Sequence, residues 1–182
     1  ISELSKSAVS GKIRLGIPSE FATMLLPKIV SRFASAYPNI TLEVNCELSK
    51  NLLSKAGKQS HDLILALEDN PSKTWSNLVK TDDLVWVTSA DHSIQKAPIV
   101  PLIAAAEGCI YRQRATNLLD QIQQPWQIVY TIPDLGGIQQ AIQEGLGVTV
   151  LAKSTVPGNL RVLPPSARFP DLGKVGISLL AS

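Results

Sequence analysis

Few residues in this sequence have the types and spacing that chemistry requires. His61 and His92 are the two histidines, beside Asp62 and Asp91. Adjacent side chains point apart, so neither pair is set to work on one atom, and both histidines read as loop residues. Cys46 and Cys109 each lie in an apolar run and lack a CxxC partner, which reads as two buried thiols in a reducing compartment and gives no zinc site. There is no G-x-S-x-G, no phosphate loop and no HExxH. "GLGVTV" (145–150) is glycine-rich, but its order is helix, glycines, strand. A dinucleotide site needs strand, glycines, helix, so these glycines read as the turn itself. The expectation is a protein that is not an enzyme and uses no metal or cofactor.

What remains is a set of strand ends. In open α/β lobes ligands bind beyond the carboxyl ends of the strands, where helix N-termini offer unpaired amides that favour anions. Four such ends can be named: Ser19, Glu20 and Phe21 after Pro18; Leu67 and Glu68; Arg112 and Gln113; and Thr131 and Ile132. These nine residues are the candidate ligand-binding set. Ser19 reads as an N-cap or a ligand hydroxyl, Thr131 as a second hydroxyl, and Arg112 as the charged contact. Glu20 is out of place beside an anion. Either it points to solvent from a first helical turn, or it selects a ligand with a donor or a positive charge.

The elements that must hold these residues follow from hydrophobic period. "KIRLGI" (12–17) and "ITLEVNCEL" (40–48) alternate as strands, and Leu26, Ile29, Val30, Phe33 and Tyr37 fall on one face of a helix between them. A short helix is expected over about 50–56. "DLILAL" (62–67) is a continuous apolar run that suits a strand covered on both faces. After a loop at 68–77 rich in Asp, Asn, Pro and Ser come a strand at 84–88 and a connector over 98–101. A second series then begins: strand 108–112, helix 115–123, strand 126–132, helix 133–144 and strand 147–152. Asp134 is expected to cap the 133–144 helix and Gly145 to stop it. The strand at 174–182 has no lobe of its own and is expected to return to the first. The result is two α/β lobes: 12–83 with 164–182, and 84–163, crossed near 83–87 and 160–165, with 1–11 as a linker remnant.

The chain has 182 residues and a formal net charge of +2, with its 17 basic residues scattered, so no nucleic-acid surface is expected on it. Nor is a signal peptide or an apolar stretch of membrane-spanning length, and with reduced thiols the expected compartment is the cytoplasm.

The order "GKIRLGIP", then "LLPKIV" with "RF" and "YPNI" after it, resembles the opening of the effector-binding domain of LysR-type transcriptional regulators. "HDLILAL", "LVWVTSADHSI" and "AIQEGLGVTVLAKSTV" resemble later segments of that family, and the likeness covers nearly all of residues 11–182. "CELS", "GCIYR" and "PWQIVYTIPDLGG" are most similar to the LrhA/HexA-like branch, associated with motility, exopolymer and virulence control. The resemblance implies a type 2 periplasmic-binding-protein-like fold, two Rossmann-like lobes joined by two crossovers around a central cleft. It implies a small-molecule effector and a homodimer or tetramer in which the first helix and the 40–46 strand pack against the partner's second lobe near 133–144. It also implies DNA contact only through an N-terminal helix-turn-helix outside this sequence. Met24, Leu25 and Ala36 are expected on the helix face turned to the partner. Two departures stand out: Gly57 lies five residues before Asp62, where the family usually has three, and Glu20 and Phe21 do not look like anion ligands. The competing readings on the same fold are a solute-binding protein of a transport system and an enzyme such as a porphyrin-pathway deaminase or prephenate dehydratase.

Overall fold

The computed structural model describes residues 9–70 and 77–181. The part of the expected linker before residue 9, and most of the expected 68–77 loop, lie outside them. The opening alternation forms β1 (Ser10–Ile17), which buries Leu15 and Ile17. Helix α1 (Ser19–Met24) follows at once. After a break at Leu25 comes α2 (Leu26–Ala36), with Pro27 in its first turn, where an N–H has no helical partner. β2 (Asn39–Cys46) then runs parallel to β1 along its whole length.

The single helix expected over 50–56 is two, α3 (Ser49–Leu52) and α4 (Lys55–Ser60), with Ser54 Oγ accepting from Gly57 N at 3.1 Å to cap the second. A β-carbon at Gly57 would fall 2.2 Å from the Asn51 carbonyl oxygen. Glycine therefore lets α4 fold back against α3, and the long spacing from Gly57 to Asp62 holds the rest of α4. β3 (Leu63–Glu68) lies beside β1 and is covered on both sides. Ile64 and Ala66 pack on Leu52, while Leu67 joins the main core and Leu63 and Leu65 pack against it.

β4 (Leu78–Ser89) has twelve residues and two sets of partners. Through Asp83 it pairs antiparallel with β9 (Lys174–Ala181); from Leu84 it pairs with β7 (Thr149–Ala152) and from Trp86 with β8 (Leu160–Leu163). β9 in turn pairs antiparallel with β3, so the sheet order is β2-β1-β3-β9-β4-β7, with β8 also on β4. The strand at the C-terminal side of the sequence thus lies between β3 and β4.

Two expectations about the second lobe are corrected. Residues 98–101 are not a plain connector: β5 (Val100–Ala104) is a fully buried strand, parallel to β6 (Trp126–Thr131). Pro101 is tolerated because its carbonyl, and with it the missing N–H, faces residues 147–148, where pairing reduces to one bridge between Leu102 and Val148. Nor is 108–112 a strand. Gly108, at φ 96°, ends a loop, and α5 (Ile110–Gln121) begins straight after it. Tyr111, Ala115 and Leu119, at helical spacing, are its buried face. The five-residue window around "GCIYR" was too short to separate the two periods. α6 (Leu135–Gln143) is as expected: Asp134 Oδ1 accepts from Gly137 N at 2.7 Å, and Gly145 takes φ 77° just beyond its end.

The main core is continuous from Leu15 and Phe21 through Trp86, Ile103 and Leu119 to Ile177. It leaves α2 uncovered: none of that helix's residues is buried, and Ile29 is 61% exposed. The expected arrangement holds only in part. Leu26 packs against the core as expected, but so do Met24 and Leu25, while Ile29 is exposed and Val30 and Phe33 are half-buried. Among the described residues, no helix is long and apolar enough to cross a membrane.

Candidate functional site

The carboxyl ends of β1 and β3 in the first lobe and the start of α5 in the second face one cavity of about 250 Å³. Pro18, Ser19, Glu20 and Leu67 line it from one side, and Ala104, Ala105, Cys109, Tyr111, Arg112 and Leu135 from the other. Of the nine candidates, Ser19, Glu20, Leu67 and Arg112 come together on its walls. Phe21 is instead in the core at 2% exposure. Glu68 accepts from Ser178 Oγ at 3.2 Å between neighbouring strands. Gln113 and Thr131 are exposed, and Ile132 donates its N–H to Ala104 O. The wall expected from Thr131 and Ile132 is supplied by Pro133 and Leu135.

Ser19 is not the N-cap of its own helix, a position held by Pro18. Its hydroxyl accepts from Leu135 N at 3.0 Å and so caps α6 across the cleft. Glu20 does not point to solvent. Its Oε1 accepts from the Tyr111 hydroxyl at 3.2 Å, again from lobe to lobe. Burial pushes the Glu20 carboxyl up from its ordinary value, against the opposing pull of its own amide and Tyr111. The same burial, with Glu20 beside it, drives the Tyr111 hydroxyl well up. Among the described residues no lysine, arginine or histidine forms an ion pair with Glu20.

Arg112, in the first turn of α5 rather than before it, keeps a side-chain exposure of 21%. Its Nη1 donates to Ala105 O at 3.1 Å, and its Nη2 lies 3.9 Å from Glu107 Oε1. Cys109 holds the N-cap position and makes no side-chain cap hydrogen bond there; burial pushes its thiol up, against the opposing pull of the Arg112 and Tyr111 amides. Cys46 closes β2 and lines the same cavity, and it is exposed rather than buried as expected. His61 is a buried residue between α4 and β3, held by Gly57 O at 2.7 Å and Asn45 at 3.1 Å. Among the described residues no group of three or more His, Cys, Asp or Glu could hold a metal ion.

The hinge side is fixed by Arg114, which sequence reasoning missed. Its Nη1 donates to Leu172 O at 2.6 Å and Lys174 O at 3.0 Å, and its Nη2 to Asp69 O at 2.6 Å and Asp69 Oδ1 at 3.0 Å. Ser154 is tied to Asp82 through both its amide and its hydroxyl. Tyr111 and Arg114 were hidden by reading the start of α5 as a strand. At helical spacing Tyr111 falls on the buried face and Arg114 three residues round from it.

A cavity between two α/β lobes, joined by a strand that pairs in both, is the architecture of periplasmic-binding-protein-like regulatory domains. The regulatory domain of Synechocystis PCC6803 CcmR, solved in complex with 2-PG, superposes with a TM-score of 0.69 at 19% identity, over 93% of this chain and 86% of that one. The effector-binding domain of QuiR, solved with shikimate, gives a TM-score of 0.66 at 15% identity, over 96% and 88%. The family model of the LysR substrate-binding domain matches residues 6–179, and the chain belongs to that family. The transcriptional regulator DgdR of Burkholderia cepacia is 24% identical over 98% of this chain and 60% of its own length. PecT of Dickeya dadantii is 27% identical over 93% and 53%. The chain thus spans a little over half the length of these relatives.

Proposed function

We propose that this chain is the effector-sensing and oligomerisation part of a LysR-type transcriptional regulator of the LrhA/HexA-like branch, working in the cytoplasm without catalysing a reaction. The observation that carries this reading is the cavity of about 250 Å³ lined by Ser19 and Leu67 on one side and by Tyr111 and Arg112 on the other; we assign the first side to a lobe of residues 12–83 with 164–182 and the second to 84–163. A small molecule held there touches both lobes and favours one lobe angle over another, and a ligand shifts an equilibrium only by such a difference. The uncovered stripe of α2 and the edge strand β2 are the surface for a second copy. A change of lobe angle re-spaces the subunits, and with them the DNA-binding parts of the whole regulator.

The test is a thermal-shift screen of small metabolites against the domain and against Ala105→Trp, which fills the cavity from its wall. A true effector at about a hundred times its Kd stabilises the unmodified domain by about 2.7 kcal/mol and leaves the filled variant unmoved. Hits that stabilise both equally would remove the cleft from the reading.

A further inference from the structure

β4 changes partners between Asp83 and Leu84: up to Asp83 it pairs with β9, and from Leu84 with β7. At that junction Leu84 N donates to Gly173 O at 2.9 Å, and Gly173 lies at φ 71° between Leu172 and Lys174. Arg114 grips this point. Its Nη1 donates to the carbonyls of Leu172 and Lys174, one on each side of Gly173. Its Nη2 donates to the carbonyl and the carboxylate of Asp69, just past the end of β3. The four N–H groups on the two terminal nitrogens are thus all engaged, in a side chain 18% exposed. Three of the four acceptors are backbone carbonyls, so the guanidinium holds the path of the chain and not just one acidic partner. Among the described residues Ser19, Glu20 and Lys50 reach across the cleft with one bond each.

The helix that carries Arg114 also lines the cleft, through Tyr111 and Arg112 in its first turn. Tyr111 is three positions before Arg114, so the two are neighbours on the helix surface. A short helix packed by Tyr111, Ala115 and Leu119 moves as one piece, and such rigid elements carry coupling between sites. A displacement of Tyr111 or Arg112 is therefore passed to Asp69, Leu172 and Lys174 within one helical turn. We propose that Arg114 is a positioning residue for the regulator. It fixes the angle between the two proposed lobes at the β4 junction, and it transmits a shift of the start of α5, made by a ligand in the cleft, to the strands that join the lobes. This deepens the proposed function and rests on its reading that the lobe angle is what a ligand changes.

The experiment compares Arg114→Gln, Asp69→Asn and Arg14→Gln, all in a Cys46→Ser background. Arg14 is the control, because its pair with Asp62 lies wholly within the first lobe. Two rates are measured: amide exchange of Leu84, at the junction, and maleimide labelling of Cys109, in the cleft at the start of α5. Arg114→Gln should speed both by about tenfold or more, the factor for losing a hydrogen bond to a charged group. Asp69→Asn should speed them far less, since the three carbonyl acceptors remain, and Arg14→Gln should leave both unchanged. If Arg114→Gln does not fold, Arg114→Lys, which keeps the charge and loses the fork, is compared in its place with the same expectation. No change in either rate, or an equal effect from Asp69→Asn or Arg14→Gln, overturns the clamp. A change in one rate alone overturns the link between cleft and junction. Neither rate uses a ligand, so these failures leave the cleft reading standing, and a failed thermal-shift screen leaves the clamp standing.

Discussion

Two amphipathic helices, α2 in the first lobe and α6 in the second, have opposite fates. α6 buries Leu135, Ile138, Ala141 and Ile142 within its own chain; α2 buries nothing and leaves Ile29 at 61% exposure. The strands that follow them in the chain differ in the same way. β7 is buried along its length, while β2 is exposed at most positions, Val44 included. An apolar stripe that a chain does not cover loses its reason to be apolar unless something else covers it. The comparison teaches that the second lobe is completed from within, while the first lobe leaves an apolar outer edge of the kind the proposed second copy would cover.

The sharpest break of that comparison is a pair of truncations. Ile142→Ala, at a fully buried site, should cost about 2–5 kcal/mol in urea unfolding, whereas Ile29→Ala should stay within about 0.5 kcal/mol for the dissociated chain. Equal losses would mean that α2 is covered after all. Next in size, Ile29→Glu should weaken self-association by about 2 kcal/mol, the level of an interface hot spot, with unchanged circular dichroism. Light scattering that shows the same mass for both proteins would remove α2 from the interface. Ser19→Ala takes the acceptor from Leu135 N and should cost about 1 kcal/mol, as at a helix cap. Solution scattering should show the cleft opening more than in Ser54→Ala, whose cap serves one lobe alone.

The smallest effects are those of pH, and two carboxyls of the first lobe differ in sign. Asp62 accepts from Arg14 N at 2.8 Å, from its Nε at 3.3 Å and from its Nη2 at 3.1 Å, which holds the carboxyl below its ordinary value. Its contribution is present above the unfolded pKa and is lost as pH falls through the depressed folded one. Asp62→Asn should therefore lower Tm at neutral pH, and the gap should close in acid. Glu20, raised by burial, runs the other way: its contribution is whole below the unfolded pKa and fades as pH rises through the folded one. Glu20→Gln should raise Tm at neutral pH and lose that advantage in acid. Parallel Tm profiles for the two variants would contradict the opposite environments of these carboxyls.

Periodicity made much of this fold legible. β1, β2, β3 and α6 were readable because their apolar residues repeat over long enough windows and because Asp134 and Gly145 mark the ends of α6 in chemical terms. β5 was hidden by Pro98 and Pro101, since a proline reads as a break unless one knows which side of the strand its missing N–H faces. The start of α5 was hidden because "GCIYR" fits two periods at once. In the cleft, Ser19, Glu20 and Arg112 were found through their place at element ends. Tyr111 and Cys109 were not, because nothing local separates an apolar residue that fills a core from one that faces a cavity.

The position of β9 bears on how the protein is made. It lies at the centre of the sheet, between β3 and β4, yet every other strand of that sheet is synthesised before it. Until residues 174–181 leave the ribosome, β3 and the first half of β4 each present an unpaired edge across a gap one strand wide. The first lobe therefore cannot close during synthesis in the order in which it is encoded. The second lobe, whose paired elements all lie between Leu84 and Leu163, can form first and hold Leu84 to Ser89 in place as a template.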